Sequence, residues 1–453
     1  MTRWSRTFLY REPVAQGRAI GRFEAALGVV GVLTLVTSYL LITGQNPGPA
    51  VLDWFDRLGA LSSPAPAWET RLGGRPEYAV VSGRVVVVFG RGRVDVRDVR
   101  TGAEVWARDV PWAAVAGADS AAVVVVGRPN QKGFEVLDPG TQAVQWSDEQ
   151  AVAVWTYRDV VLAMTCPGVT GCTLAAHEPI RGRQRWRTPV PGVGKTLAGV
   201  NHELLGSRPI ESTVDSRVQG PLEGPPMLGF PLDSKVQVVD LQSGQLVRDA
   251  RGDNTTRVVV VAGRLLYSHA ERREGHCRYT LEARDPVNGS AVWRTDGYDL
   301  RTASGAGCEQ RRDPMGGGNT LSAIRGDNLE VLLDAYDGRE VWVGKPGQTV
   351  LATDGLTAVI RSADGKSIIG WDIAGGVDLW QRPAHESADV ALTRYSVVIV
   401  DGRNGRVVAV EPGTGRVLTD AKTPAQVIGV GADGLLLASG RNIGLVTYGS
   451  TSG

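Results

Sequence analysis

The chain has 453 residues, of which 42% are hydrophobic and 21% are charged, and its formal net charge is +1. The length is enough for several small domains or for one large repeat domain. The near-neutral charge disfavours the broad basic surface that nucleic-acid binding requires, so no nucleic-acid partner is expected.

The N-terminal region contains one long apolar run. Residues 25–42 carry no charged side chain and would span about 27 Å as a helix, close to the hydrocarbon thickness of a bilayer. We therefore predict a cytoplasmic tail over residues 1–24, a transmembrane helix over residues 25–43 and an extracytoplasmic remainder. The orientation rests on the arginines before the run, which are Arg3, Arg6, Arg11, Arg18 and Arg22.

A cleaved signal peptide is the alternative for this run. Signal peptides have apolar regions of about 7–15 residues and a small-residue cleavage site. The run is longer than that, and no Ala-x-Ala follows it, which favours a retained anchor and a single-pass protein of the cell membrane. Residues 44–66 are rich in Pro and Gly and are predicted to be a linker.

A repeated motif occupies the rest of the chain. An acidic residue is followed four positions later by Gly and eight positions later by Trp, and successive acids lie 40, 40, 62, 45, 49, 38 and 39 residues apart. Some copies are incomplete, with Gln142 in place of Gly, or Arg248 and Thr419 in place of Trp. The motif residues are Asp98, Gly102, Trp106, Asp138, Trp146, Glu178, Gly182, Trp186, Asp240, Gly244, Asp285, Gly289, Trp293, Asp334, Gly338, Trp342, Asp372, Gly376, Trp380, Glu411 and Gly415.

Each motif lies in a predicted β-hairpin. The acid can accept hydrogen bonds from its own turn, Gly supplies a positive φ, and Trp is a large anchor at the end of the next strand. Two further strand-like runs precede each hairpin, as in residues 78–81 and 85–89. Four short strands per 40 residues are typical of a β-propeller blade.

The number of blades follows from the number of anchors. Eight acids predict an all-β, eight-bladed propeller over residues 67–449, with seven to nine blades as the range. Pairing residues 67–70 with the last strands would close the ring and remove two edge strands, and taken literally it adds a ninth blade. We expect the weak unit between Asp299 and Asp334 to be degenerate, which keeps the count at eight.

The four cysteines are consistent with an external compartment. We predict the disulfides Cys166–Cys172 and Cys277–Cys308, with four buried free thiols as the alternative. A zinc site is not expected, because the sequence has no Cys-x-x-Cys pair and no His partner at ligand spacing. The Asp-Gly pairs are interpreted as hairpin turns rather than as calcium loops. We therefore assign no catalytic, cofactor-binding or metal-binding residue.

The insert at residues 208–232 explains the 62-residue spacing. Long loops on rigid scaffolds often carry binding function. Met227, Leu228 and Phe230 are therefore candidate exposed anchors for a partner, the alternative being a loop that folds back over a blade edge.

The motif resembles the tryptophan-docking repeat of the quinoprotein (PQQ) propeller superfamily. Residues 97–102 and 410–415 match the core of that consensus. Within this superfamily the chain is similar to the BamB family of outer-membrane assembly lipoproteins, but it has a predicted transmembrane helix and no lipobox cysteine near its N-terminus. Arginine outnumbers lysine 43 to 6, which suggests the GC-rich genome of an actinobacterium.

The resemblance implies either protein binding or PQQ chemistry. Quinoprotein dehydrogenases hold PQQ over calcium in the central funnel, often with a disulfide between adjacent cysteines, and this chain has no Cys-Cys pair. We expect a non-catalytic, extracytoplasmic scaffold that binds a protein in cell-envelope assembly and takes no cofactor. A sensor that binds a small molecule in the funnel is the alternative, and a PQQ-dependent dehydrogenase is a third.

Overall fold

The computed structural model describes residues 61–129, 132–168, 171–191, 216–232, 235–253, 255–303, 305–310 and 314–449. The predicted tail and transmembrane helix, and the first part of the predicted linker, lie outside these residues. Within them, no helix is long and apolar enough to cross a membrane.

The described part of the chain folds into β-sheets arranged as a propeller, with two short 3₁₀ helices, Asp119–Ala121 and Ser216–Gln219. The first strand is β1 (Trp68–Arg71). Blade 1 contains β2 (Pro76–Ser82), β3 (Val85–Gly90), β4 (Arg93–Asp98) and β5 (Glu104–Asp109), and blade 2 contains β6 (Ala113–Ala116), β7 (Val123–Gly127), β8 (Phe134–Leu137) and β9 (Val144–Asp148). Blade 3 contains β10 (Ala151–Thr156), β11 (Val161–Thr165), β12 (Gly171–His177) and β13 (Gln184–Pro191). Blade 4 contains β14 (Met227–Leu232), β15 (Lys235–Asp240) and β16 (Leu246–Arg251).

The second half of the ring continues in the same order. Blade 5 contains β17 (Thr256–Val261), β18 (Arg264–Arg273), β19 (His276–Arg284) and β20 (Ala291–Asp296), and blade 6 contains β21 (Tyr298–Asp299), β22 (Met315–Gly317), β23 (Thr320–Arg325), β24 (Glu330–Asp334) and β25 (Glu340–Val343). Blade 7 contains β26 (Thr349–Thr353), β27 (Thr357–Arg361), β28 (Ser367–Asp372) and β29 (Val377–Pro383), and blade 8 contains β30 (Asp389–Leu392), β31 (Val397–Asp401), β32 (Arg406–Val410) and β33 (Val417–Lys422). Blade 9 contains β34 (Gln426–Val430), β35 (Gly434–Ser439) and β36 (Asn442–Thr447), which pairs with β1.

Each blade is an antiparallel meander that runs from the centre of the ring outward. The first strands are innermost, and β2 and β34 contact each other. Fourth strands such as β5 and β9 are the most exposed. Because consecutive strands reverse direction, the first and third turns of every blade lie at one end of the ring. We call this the anchor end, since the acidic residue of the motif opens the third turn.

Valine-rich strands form the core. All five residues from Val85 to Phe89 in β3 are buried. Neighbouring blades cover both faces of each sheet, so inner strands are continuously apolar instead of alternating. The buried clusters therefore lie between blades, as with Val87 and Val124 of blades 1 and 2.

The ring closes through the two ends of the described chain. β1 pairs antiparallel with β36, with Trp68 opposite Leu445 and Arg71 opposite Asn442. This closure makes nine blades in the described residues, so the expected eight is wrong. Residues 61–66, which the sequence assigns to the linker, reach blade 8, where the backbones of Ser63 and Lys422 exchange two hydrogen bonds of 2.9 Å.

The unit between Asp299 and Asp334 is a complete blade and not a degenerate one. Its inner strand is split into β21 and β22, which both pair with β23. The described residues between these two strands, 300–303, 305–310 and 314, lie outside the sheet. This interruption makes the strand pattern weak in the sequence, although the sheet is present.

Blade 4 has three strands within the described residues. Asp240 ends β15, so β15 corresponds to the third strand of the other blades and β14 to the second. Residues 192–215, which precede this blade, lie outside the described part of the chain.

Candidate interaction surface

Tryptophans dock each blade onto the next one. The indole N–H of Trp106 donates to the Pro139 carbonyl oxygen at 2.9 Å. In each such pair the acceptor is the residue directly after the acid of the next blade. The other pairs are Trp68 with Val99, Trp146 with Pro179, Trp186 with Leu241, Trp293 with Ala335 and Trp380 with Pro412, at 2.6–2.9 Å.

The motif glycine lies directly beneath this indole. Gly182 has a φ of +64°, and a Cβ at this position would come within 2.5 Å of the Trp146 ring. Gly338 has the same relation to Trp293, at 2.7 Å. Glycine is therefore required twice, for the left-handed backbone and for the close approach of the ring.

Besides Thr419, three motif positions depart from this arrangement. Arg248 replaces Trp, and its guanidinium donates to the Pro286 and Val287 carbonyl oxygens at 3.2 and 3.1 Å and covers Gly289. Gln142 replaces Gly and still adopts a φ of +64°. Trp342 is buried, but nothing lies within 4 Å of a Cβ built on Gly376.

The acid of the motif caps its own turn. Asp98 Oδ1 accepts hydrogen bonds from the Arg100 and Thr101 backbone N–H groups and from the Thr101 hydroxyl, at 2.9–3.0 Å. These donors, above all the Thr101 hydroxyl, lower the pKa of Asp98 from its usual value. The acid and glycine therefore shape the turn of their own blade, and the tryptophan of the same motif docks onto the corresponding turn of the next blade.

Both disulfides predicted from the sequence are present. Cys166–Cys172 closes the turn between two strands of blade 3, and Cys277–Cys308 joins the long β18–β19 hairpin of blade 5 to the segment that interrupts blade 6. A buried carboxylate also holds blade 6. Glu330 accepts hydrogen bonds from the Ser322 hydroxyl, the Arg301 guanidinium and the Val350 backbone N–H, at 3.0–3.3 Å.

The expectation that Met227, Leu228 and Phe230 are exposed partner anchors is wrong for the last two. Leu228 is 0% exposed and Phe230 is 2% exposed, and Met227 is partly buried against the cluster between blades 4 and 5. All three belong to β14. Leu228 and Phe230 alternate with Gly229 directly before the next strand, a period of two that indicates a β-strand.

Three exposed apolar side chains lie at the anchor end, in turns of blades 5, 6 and 7. Val287, Tyr336 and Leu356 are 66%, 46% and 74% exposed. The Arg264 guanidinium carbon lies 4.7 Å from the centre of the Tyr336 ring, a cation–π contact that holds the ring in place. We call Arg264, Val287, Tyr336 and Leu356 the Tyr336 surface.

Asn319 connects the turns that carry Tyr336 and Leu356. Its carbonyl oxygen accepts from the Ala335 N–H at 2.7 Å, and its side-chain amide donates to Asp334 at 3.2 Å. Its side-chain oxygen is 3.0 Å from where a Cβ on Gly355 would stand. The turns that carry Tyr336 and Leu356 thus both pack against Asn319.

No metal site is evident in the described part of the chain, where no three His, Cys, Asp or Glu side chains cluster as ligands would.

A family model described as outer membrane protein assembly factor BamB matches residues 277–435. This segment contains three complete copies of the motif whose docking geometry is described above. Over this segment the chain is similar to the PQQ-like β-propeller family. No curated protein matches it significantly.

Several solved structures resemble this propeller at low sequence identity. BamB from Moraxella catarrhalis is 14% identical, with 78% of this chain and 97% of that chain covered and a TM-score of 0.36. Quinohemoprotein alcohol dehydrogenase from Comamonas testosteroni is 13% identical, with coverages of 85% and 76% and a TM-score of 0.38. The computationally designed Ika8 protein is 16% identical, with coverages of 79% and 99% and a TM-score of 0.37.

Proposed function

We propose that this PQQ-like propeller is a non-catalytic scaffold that binds a protein partner through the Tyr336 surface. The observation that carries the proposal is the exposure of an aromatic and two aliphatic side chains on one rigid end of the ring. Tyr and Arg are enriched at protein interfaces, and exposed apolar patches on soluble domains mark interaction sites.

The proposal also includes the cellular location of the protein. Residues 25–42 would anchor the protein in the cell membrane, and the propeller would lie outside the cytoplasm. The two disulfides support an extracytoplasmic propeller, because disulfides persist in oxidising compartments. The match to a BamB model supports a role in cell-envelope assembly.

Partner capture tests the surface directly. A tagged full-length chain would be cross-linked in cells and purified, and compared with the triple variant Val287→Asp, Tyr336→Asp and Leu356→Asp. We expect capture of the partner to fall at least about tenfold, since single interface anchors are often worth 2 kcal/mol or more.

The matched control introduces the same charges elsewhere. Val105, Val144 and Val377 lie on the outer strands of blades 1, 2 and 7 and are 40%, 55% and 53% exposed. Their triple change to Asp should leave capture unchanged. Equal capture by both triple variants would reject the Tyr336 surface. A propeller that resists protease added to intact spheroplasts would reject the extracytoplasmic location.

A further inference from the structure

Part of the insert lies at the centre of the ring, against blades that are distant in sequence. The helix Ser216–Gln219 contacts β2 and β34, the inner strands of blades 1 and 9. Val218 is 2% exposed and belongs to the buried cluster that includes Ala391 of β30 and Val430 of β34.

Polar and steric contacts fix the same segment to blades 8 and 1. The Gln219 side-chain oxygen accepts from the Arg394 backbone N–H at 3.3 Å, in the first turn of blade 8. Gly220 lies so close to Val80 of β2 that a Cβ would be 3.1 Å from its Cγ1. The segment therefore holds three neighbouring blades at one point.

The next residues are attached to blade 3. The Leu222 carbonyl oxygen accepts from the Arg158 backbone N–H at 2.8 Å, and the Glu223 carboxylate lies 3.3 Å from the Arg158 guanidinium. The Gly224 N–H donates to Asp159 Oδ1 at 3.3 Å. Arg158 and Asp159 form the first turn of blade 3, which is at the anchor end.

Gly220 and Leu222 are separated by one residue, so at most about 7 Å of chain joins these two sets of contacts. We propose that residues 218–224 form a strap that ties blades 8, 9 and 1 to blade 3 across the anchor end of the central channel. The strap restrains the seam of the ring in blade 9. At that seam β1 and β36 come from opposite ends of the chain and are joined only by hydrogen bonds and side-chain packing.

Hydrogen exchange on the full chain tests the strap from both of its ends. Val218→Asp places a charge in a buried site and should release the end held by blades 8, 9 and 1. We expect exchange to rise at least about tenfold in β34 and β36 and also in the blade 3 turn at residues 157–160. The double change Arg158→Pro and Asp159→Ala removes the backbone N–H that bonds Leu222 and both side-chain contacts, and it should raise exchange at residues 218–220 and in β34.

Val144→Asp is the matched control, because Val144 is 55% exposed on the outer strand β9. It should leave exchange unchanged in all of these segments. If Val218→Asp prevents folding, the double variant decides, since Arg158 and Asp159 lie in a partly exposed turn. The strap is rejected if the double variant leaves residues 218–220 and β34 protected as in the wild type, or if a folded Val218→Asp affects only β2 and β34.

Discussion

A tryptophan in this ring is held by the backbone of the next blade, not only by apolar packing. The indole donates to one carbonyl and covers one glycine, so its position is fixed at two points. The sequence predicted the turn and the anchor because the acid, Gly and Trp have individual conformational or packing reasons for their positions. It could not predict that Arg248 takes the same place, which depends on a planar guanidinium reaching two carbonyl groups.

Two motif glycines with the same backbone conformation allow the two reasons for glycine, the left-handed backbone and the close approach of an indole, to be tested separately. Gly182 and Gly376 both have a φ of +64°, but only Gly182 lies beneath an indole. Gly376→Ala should cost about 1–2 kcal/mol, from the left-handed backbone alone. Gly182→Ala should cost about 1–3 kcal/mol more, because the new methyl group displaces Trp146.

Chemical denaturation of both variants gives the two free energies of unfolding. Tryptophan fluorescence adds a local readout, since Trp146 should move in Gly182→Ala and no indole should move in Gly376→Ala. Equal destabilisation by the two substitutions would show that indole docking adds nothing to the requirement for glycine.

At the scale of strands and loops, the sequence predicted the blades well where their turns were regular. It failed at β14, because a Pro-rich insert leads into this strand and the alternation of Leu228 and Phe230 is short. Cysteine pairing was predictable, since Cys166 and Cys172 flank one tight turn. The long extension of the β18–β19 hairpin toward Cys308 depends on tertiary packing and gave no local signal.

The two disulfides should differ in their contribution to stability. The two cysteines of Cys277–Cys308 are 31 residues apart in the sequence, and those of Cys166–Cys172 are 6 residues apart. Loop-closure entropy then gives about 3–4 kcal/mol for the first and about 2–3 kcal/mol for the second. Alanine replacement of each pair, followed by denaturant unfolding under non-reducing conditions, measures both. A larger loss from the short loop would contradict this ranking.

For the whole molecule, nine blades form because the chain contributes a strand from before its first motif. The eight anchor acids indicated eight blades, but each acid marks only the blade whose third turn it opens. Trp68 supplies the junction from the closing blade to blade 1, through its hydrogen bond to Val99 at 2.7 Å. The closing blade has no anchor acid of its own, so a count of acids misses it.

Trp68 therefore has a role that an equivalent internal tryptophan does not have. Trp68→Ala and Trp106→Ala remove the same type of contact and should each cost about 3–5 kcal/mol. Loss of Trp68 also weakens the pairing of β1 with β36, which joins the N-terminal and C-terminal parts of the described chain in one sheet. An unpaired β36 is an exposed sheet edge, and such an edge can pair with another copy.

Light scattering after size-exclusion chromatography distinguishes the two variants over a range of protein concentrations. We expect Trp68→Ala to form dimers or larger species as concentration rises, and Trp106→Ala to stay in the wild-type state despite a similar fall in melting temperature. If Trp68→Ala is equally destabilised but keeps the wild-type mass at every concentration, the closing strand does not depend on its tryptophan, and hydrogen bonds between β1 and β36 are sufficient to keep the ring shut.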